Sequence, residues 1–149
     1  MFTKKYIEMV TQADEIQKLW KPKKGDYIYS KEDNQICLIY HYCFSKSNKK
    51  LIFYEYINNS MHAWDDDEII KTKHKWLPTL EDLFGILRID DCETFDIFFK
   101  AITNFYWKKI SRDYNADSLQ EMLLRIVMLN IFHKIWNPDK KEWEEINGS

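Results

Sequence analysis

The stretch that follows Ser118 constrains the fold of this chain most strongly. Residues 122–135 read MLLRIVMLNIFHKI and are apolar almost all round a helix. The preceding Ser118-Leu119-Gln120-Glu121 matches a capping box, which marks where that helix begins. A helix that is apolar on every side has to be enclosed by other elements. The stretch therefore predicts a central core helix. It is too short and too polar to span a bilayer.

In the first half of the chain, apolar residues recur with other spacings. Residues 3–20 predict one amphipathic helix, because apolar residues recur there at three- and four-residue steps, and Pro22 and Gly25 end it. Short segments rich in β-branched and aromatic residues follow, separated by polar turns. They predict an antiparallel meander of three or four strands. The predicted strands are residues 27–30, 35–42 and 51–57, with a fourth within residues 61–73.

The second predicted strand is apolar on both of its faces, which favours a central place in the sheet. One face would carry Ile36, Leu38, Tyr40 and Tyr42, and the other would carry Cys37, Ile39 and His41.

From Trp76 onward the pattern becomes helical. Thr79-Leu80-Glu81-Asp82 resembles a capping box and predicts a short helix that ends near Gly85 or Arg88. A longer helix starts at Asp91 or Cys92 and runs to about residue 106, and the core helix follows it. Beyond the core helix, residues 136–139 predict a turn. Residues 141–146 predict either a short strand or a tail that pins Trp143 onto the body.

The element order predicts a single α+β domain over residues 1–149. It comprises an N-terminal helix, the meander, and three helices of which the last is central. No internal repeat, linker or low-complexity tract divides the chain. A chain of 149 residues can close one hydrophobic core without a metal or a disulfide.

Composition restricts location and partners. The net charge of −2 gives no strong field that would attract nucleic acid. Three cysteines without CxxC spacing favour reduced, buried thiols, and the N-terminal residues lack the apolar core of a signal peptide. We therefore expect a cytoplasmic protein without a membrane role.

Motifs that would supply chemistry are missing from the sequence. There is no GxSxG, no HExxH or HxxxH, and no glycine-rich phosphate loop. The acidic run Asp65–Glu68 lacks the ligand spacing and the glycine of a calcium loop. We therefore predict no catalytic residue, metal or cofactor. Enzymatic activity is left undecided, and binding is favoured over catalysis.

Two groups of residues are candidates for a binding surface. Aromatic residues of the meander, some of Tyr27, Tyr29, Tyr54, Tyr56 and Trp64, are expected to face outward as anchors for a protein partner. Lysines next to aromatic residues, around residues 71–76 and 106–109, resemble stacking platforms for nucleic acid. The binding candidates are Tyr54, Tyr56, Trp64, Lys71, Lys73 and Trp107.

Three separated segments resemble a set of small phage and prophage proteins of low-GC Gram-positive bacteria and their relatives. Residues 7–30 contain KLWKP-x-x-GD, residues 75–87 contain WLP, and residues 118–143 contain K-x-W-N followed by a tryptophan. The resemblance implies a phage setting and a shared fold, and it implies no activity or catalytic residue. Residues 43–67 match least well, so we expect a specific function to reside there.

A small phage protein without enzyme motifs is expected to act by binding. The first hypothesis is an inhibitor of a host defence protein that works through an aromatic-containing surface. The alternative is a protein that binds a small ligand such as a nucleotide signal, in an aromatic and basic pocket, or a nucleic acid. An unrecognised enzyme is the third. The oligomeric state is not predicted.

Overall fold

We describe the protein from a computed structural model. Its backbone is described for residues 2–45, 50–57, 60–64, 71–88, 96, 98–100, 103 and 118–146, and its side chains for the same ranges except residues 40–64. Helices and antiparallel strands are both present, so the predicted α+β class is confirmed.

The described elements are four helices and seven strands. The helices are α1 (Lys4–Thr11), α2 (Asp14–Leu19), α3 (Leu80–Ile86) and α4 (Leu119–Phe132). The strands are β1 (Tyr27–Ser30), β2 (Gln35–Ser45), β3 (Lys50–Ile57), β4 (Ser60–Trp64), β5 (His74–Leu77), β6 (Lys134–Asn137) and β7 (Glu142–Glu145).

The chain forms two compact units. We call residues Val10–Pro78 the sheet unit, and Met1–Met9 together with Thr79–Ser149 the helical unit. The prediction of one domain over residues 1–149 stays a prediction, and each unit is described by itself below.

The predicted first helix is broken into α1 and α2. Ala13 leaves the helical conformation, with a ψ of 77°, and its N–H donates to the Val10 carbonyl. The Gln17 side chain donates a second hydrogen bond of 3.0 Å to the same carbonyl. The side-chain amide thus satisfies a backbone acceptor that a continuous helix would have used. The predicted apolar stripe nevertheless holds, because its members are all buried: Tyr6, Met9, Val10, Ala13, Ile16 and Trp20.

Five strands of the sheet unit form one antiparallel sheet in the order β4-β3-β2-β1-β5. β2 is therefore central, as its two-sided apolar pattern predicts. The fifth strand, β5, was not predicted, because residues 74–77 directly precede the helix start at Thr79 and their short pattern carries no distinct period. β5 pairs with β1 and closes the meander at the edge opposite β4.

A bulge in β2 changes which residues share a face. Ile39 pairs with Glu55, whereas His41 pairs with Tyr54, and the register shifts between them. Because Glu55 and Tyr54 are consecutive, they occupy opposite faces of the sheet. The prediction that Cys37, Ile39 and His41 share one face is therefore wrong beyond Ile39. One extra residue in a strand reverses the alternation after it.

The helical unit is built around α4, and the predicted central core helix is confirmed. Its buried residues are Glu121, Leu123, Leu124, Arg125, Ile126, Val127 and Met128. The helix ends earlier than predicted, because His133 adopts the left-handed conformation with a φ of 55°. Residues 134 and 135 consequently belong to β6.

Both predicted helix starts are present, with one difference. Thr79 and Asp82 form a complete capping box at the start of α3. Ser118 accepts a hydrogen bond from the N–H of Glu121, which is half of a capping box. The Glu121 carboxylate instead accepts from the hydroxyl of Thr3, and it lies 3.8 Å from the Lys5 ammonium. Glu121 thus fastens the start of α1 to the start of α4.

The C-terminal segment forms a hairpin of β6 and β7, so the predicted final strand is confirmed. The predicted turn over residues 136–139 lies further along the chain, because Trp136 and Asn137 belong to β6. The Asn137 side chain accepts hydrogen bonds from the N–H groups of Asp139 and Lys140, and this interaction starts the turn.

Most of the predicted middle helix, including Cys92, lies outside the described residues. The positions described within it, residues 96, 98–100 and 103, are helical. Among the residues that the structure describes, no helix has the length and the continuous apolar character needed to cross a membrane.

Candidate binding surface

The KLWKP-x-x-GD element forms a closed turn in the sheet unit. The indole Nε1 of buried Trp20 donates a hydrogen bond of 2.9 Å to Oδ2 of buried Asp26. The same oxygen accepts from the backbone N–H of Lys23, and the N–H of Asp26 donates to the Lys23 carbonyl. Gly25 has a φ of 92°, as the third position of a type II turn requires. The element fixes the chain just before β1.

The WLP element is also a part of the fold. Trp76, Leu77 and Pro78 are buried, and the backbone of Trp76 lies at the β5 edge of the sheet. The Gln17 side chain accepts from the Trp76 N–H at 2.8 Å and donates to its carbonyl at 3.0 Å. One side-chain amide therefore occupies both backbone groups through which another strand could pair at this position.

The closing K-x-W-N element and the later tryptophan stabilise the C-terminal hairpin. Trp136 and Trp143 are cross-strand partners whose rings meet edge to face, with centroids 5.2 Å apart. The Trp143 Nε1 donates to the Met9 carbonyl at 2.8 Å, so the predicted pinning role of Trp143 is also present. The elements that carry the phage resemblance thus have structural roles in the fold.

The sheet offers a different arrangement at β1, β2 and β5. On one side, which we call the inner face, every described side chain is buried except that of Gln35, which is half-buried at the start of β2. The inner-face residues are Ile28, Ser30, Gln35, Cys37, Ile39, His74 and Trp76.

The opposite side, the outer face, stays partly open to solvent. Tyr27 is 39% exposed and Ile36 is 42% exposed, and Tyr29 and Leu38 are half-buried. At the β5 end of this face, Leu77 pairs with Tyr27 and is fully buried. The outer-face residues are Tyr27, Tyr29, Ile36, Leu38, Lys75 and Leu77.

The register also assigns the predicted aromatic residues of β3 and β4 to faces. Ile39 belongs to the inner face and pairs with Glu55, so the neighbouring positions Tyr54 and Tyr56 belong to the outer face. Trp64 pairs with Phe53, which is two residues before Glu55 and therefore lies on the inner face. The backbone thus brings positions 54 and 56 onto the face of Tyr27 and Tyr29, and it places position 64 on the other.

The predicted basic candidates Lys71 and Lys73 precede β5, which lies at the edge of the sheet opposite β4. Lys71 is half-buried in a short helical turn that precedes β5. The ammonium of Lys73 lies 3.7 Å from a carboxylate oxygen of Glu32, and the Lys75 ammonium lies 3.8 Å from Asp14. Trp107 lies outside the described residues. Lys73 and Lys75 thus each have a carboxylate neighbour, whereas none is described for Lys71.

The clear pKa shifts among the described residues have structural causes. Burial raises the pKa of the Tyr6 hydroxyl far above its usual range, and the charge of Asp82 raises it further. Such a tyrosine stays neutral and serves the core. The surface pair Lys140 and Glu144 shifts both pKa values in the directions that favour the ion pair, mainly through their mutual hydrogen bond.

The described residues contain no group of three histidine, cysteine or acidic side chains that could hold a metal ion. The Cys37 thiol is buried on the inner face and donates a hydrogen bond of 3.8 Å to the Gln35 carbonyl oxygen. The indole Nε1 of Trp76 is buried and has no hydrogen-bond partner within the described part of the chain. Cys37 and Trp76 both lie on the inner face, where each is a cross-strand partner of Ile28.

The sequence matches no known protein-family model. It also matches no curated protein and no solved structure.

Sequence reasoning missed Ile36 and Leu38 as members of the candidate surface. In the sequence, Ile36 and Leu38 alternate with Cys37 and Ile39. This alternation assigns the residues of β2 to the correct faces as far as the bulge after Ile39. The alternation did not indicate which face is covered, because both faces are apolar in the sequence.

Proposed function

We propose that this protein acts by binding a partner protein through the outer face of its sheet. The observation that carries the proposal is the exposure of Tyr27 and Ile36 on the same face as Tyr29 and Leu38. A sheet face that combines exposed aromatic and aliphatic side chains is typical of an interaction surface.

The register supports a surface wider than β1 and β2. Positions 54 and 56 of β3 belong to the same face, so tyrosine positions of β1 and β3 flank Ile36 and Leu38 of β2 there. Tyrosine gives large contact area with few rotatable bonds, which limits the entropy lost on binding. The part of the chain that matches the phage resemblance least well, residues 43–67, contributes β3 and β4 to this sheet.

The surface rests on a rigid support. The turn before β1 is closed by the Asp26 carboxylate, and the β5 edge is occupied by the Gln17 amide. A preorganised surface loses less free energy to ordering when it binds. Because Gln17 blocks strand addition next to Trp76, recognition at this end of the sheet relies on side chains rather than on backbone pairing.

The proposed partner is a host protein, and the proposed setting is the cytoplasm of a phage-infected bacterial cell. The resemblance of three segments to phage and prophage proteins supports this setting. A protein that blocks a host defence enzyme needs to cover a surface of that enzyme and needs no catalytic group of its own.

Affinity capture from a lysate of a low-GC Gram-positive host tests the proposal. The full-length protein should retain one host protein at a constant ratio, as measured by mass spectrometry. The double variant Tyr27→Ser and Ile36→Ser should lose that protein, because both changes remove apolar area from the outer face.

The matched control is Leu119→Ser, which removes an equally exposed leucine from the helical unit, where it is 47% exposed. This variant should retain the host protein at the wild-type ratio. Capture that survives the outer-face double variant, or that is lost equally in the control, would overturn the proposal. All variants are first checked for an unchanged melting temperature.

A further inference from the structure

We propose that Asn34 is a positioning residue of the outer face. It holds the Tyr29 ring toward the turn between β1 and β2, and so keeps Ile36 open to an apolar side chain of the partner. The Tyr29 hydroxyl donates a hydrogen bond of 2.5 Å to Oδ1 of Asn34. This inference rests on the proposed function, and it names the part of the outer face that the partner contacts and the residue that keeps this part open.

The strand register shows where this hydrogen bond draws the Tyr29 ring. Tyr29 and Ile36 are cross-strand partners on the outer face. Asn34 lies two residues before Ile36, so it is the diagonal neighbour of Tyr29 on the side of the turn. The ring is therefore held away from the position directly opposite. Ile36 stays 42% exposed, although an aromatic and a β-branched residue in this arrangement ordinarily pack on each other.

The backbone of Asn34 explains why an asparagine can do this. Its φ is 56°, in the left-handed region. Glycine adopts this conformation most easily, but it has no side-chain acceptor. Asparagine tolerates the conformation and carries an amide oxygen. Position 34 therefore combines the backbone conformation of the turn with the acceptor that Tyr29 uses.

The turn that carries the acceptor, residues 31–34, is itself held by side chains. Ser30 Oγ donates to Oδ2 of Asp33 at 2.8 Å and accepts from the Asp33 N–H at 3.3 Å. A carboxylate oxygen of Glu32 lies 3.7 Å from the ammonium of Lys73, which precedes β5. The acceptor is thus already in place before a partner binds, and a preorganised group loses less free energy to ordering.

The surroundings of Tyr29 favour an apolar group of the partner. Because the Tyr29 hydroxyl gives its proton to Asn34, the partner meets ring carbons and the Ile36 side chain rather than a hydrogen-bond donor. On its other side Tyr29 pairs with Lys75, whose ammonium lies 3.8 Å from a carboxylate oxygen of Asp14. An aliphatic or aromatic side chain fits this place, as at the apolar centre of protein interfaces.

The first test needs no partner. Asn34→Gly keeps the left-handed turn and removes the acceptor, and Tyr29→Phe removes the donor and keeps the ring. In both variants the ring is released and should pack on Ile36. Its ring current should then move the δ1-methyl resonance of Ile36 upfield in the NMR spectrum of the full-length protein. The matched control Asn34→Asp keeps the conformation and the acceptor, so the resonance should stay at its wild-type position.

The second test uses the host protein captured by the wild-type protein as the probe. Asn34→Gly and Tyr29→Phe should each bind it about two- to tenfold more weakly, because the ring has to move before Ile36 can be contacted. The double variant should bind no more weakly than either single variant, since both changes break the same hydrogen bond. Asn34→Asp should restore wild-type affinity. All variants should keep the wild-type melting temperature.

The two tests separate this inference from the proposed function. An Ile36 resonance that does not move in Asn34→Gly, wild-type affinity in that variant, or losses that add up in the double variant would overturn the inference and leave the outer face as the binding surface. Absence of any captured protein with wild type overturns the proposed function. The Ile36 resonance then still decides whether Asn34 holds the ring away from Ile36.

Discussion

The inner and outer faces of the sheet are formed by the same strands and differ in what they contain and what covers them. On the inner face even the polar Ser30 and His74 are buried. On the outer face the apolar Ile36 is 42% exposed, although its neighbour Cys37 is buried. Among the described residues of β1 and β2, burial therefore follows the face more closely than the polarity of the residue.

This difference separates residues that stabilise the fold from those of the proposed binding surface. Inner-face residues contribute to the free energy of folding through packing, and their replacement should destabilise the protein. Outer-face residues keep apolar area in contact with water, which folding alone does not explain. The contrast can be tested by changes that remove the same groups from each face.

The largest effect is expected for Ile28→Ala. Ile28 is buried between its cross-strand neighbours Cys37 and Trp76. Loss of its side chain leaves a cavity and should lower the free energy of unfolding by about 2–5 kcal/mol. Urea unfolding, monitored by tryptophan fluorescence, measures this free energy. Ile36→Ala, the same change on the outer face, should lower it by less than about 1 kcal/mol. Equal losses would show that the two faces are not distinct.

The next effect is expected for Asp26→Ala at the turn before β1. The change leaves the buried Trp20 indole and the Lys23 N–H without their acceptor. The free energy of unfolding should fall by about 1–3 kcal/mol. The control, Asp139→Ala, removes an exposed carboxylate from the turn between β6 and β7 and should have little effect. An unchanged urea midpoint for Asp26→Ala would refute the structural role of the KLWKP-x-x-GD turn.

A smaller effect is expected for Gln17→Ala at the β5 edge. The variant loses hydrogen bonds to the Trp76 N–H and carbonyl and to the Val10 carbonyl. We expect a loss of about 1 kcal/mol and concentration-dependent self-association, because the edge strand is opened. Light scattering and urea unfolding measure the two effects. Gln12→Ala, at an exposed position before α2, should show neither.

The smallest effect on stability is expected for Tyr27→Ser on the outer face. Its free energy of unfolding should change by no more than about 0.5 kcal/mol, as is usual for a surface substitution. Its capture of the host partner should nevertheless be strongly reduced. A thermal scan alongside the capture assay measures both. If Tyr27→Ser lowers the stability strongly and still captures the partner, Tyr27 serves the fold and not binding, and the proposed roles of the two faces are refuted.

Much of the local structure could be predicted because the signals are local. Thr79 with Asp82, and Ser118 with Glu121, mark helix starts through bonds that span three residues. The alternation of β2 and its two apolar faces predicted a central strand, which the order of the sheet confirms. The side-chain surroundings of Tyr54, Tyr56, Trp64 and Trp107 lie outside the described residues, so their binding role stays a prediction.

The remaining features depend on partners that are distant in the sequence. The break between α1 and α2 needs the Gln17 amide, which also bonds Trp76. β5 is a strand because it pairs with β1, and a four-residue segment has too short a pattern to show this. The bulge after Ile39 arises from pairing with β3 and changes the face of every later residue of β2.

The sequence by itself determined the apolar core helix α4, the helix starts, four of the strands and the absence of catalytic motifs. These follow from periodicity and capping, which involve neighbours along the chain. Only the tertiary structure decided that Cys37 and Ile39 face inward while Ile36 and Tyr27 stay exposed. The physical reason is that both faces of β2 are apolar, so the covering elements, and not the residue types, select the buried face.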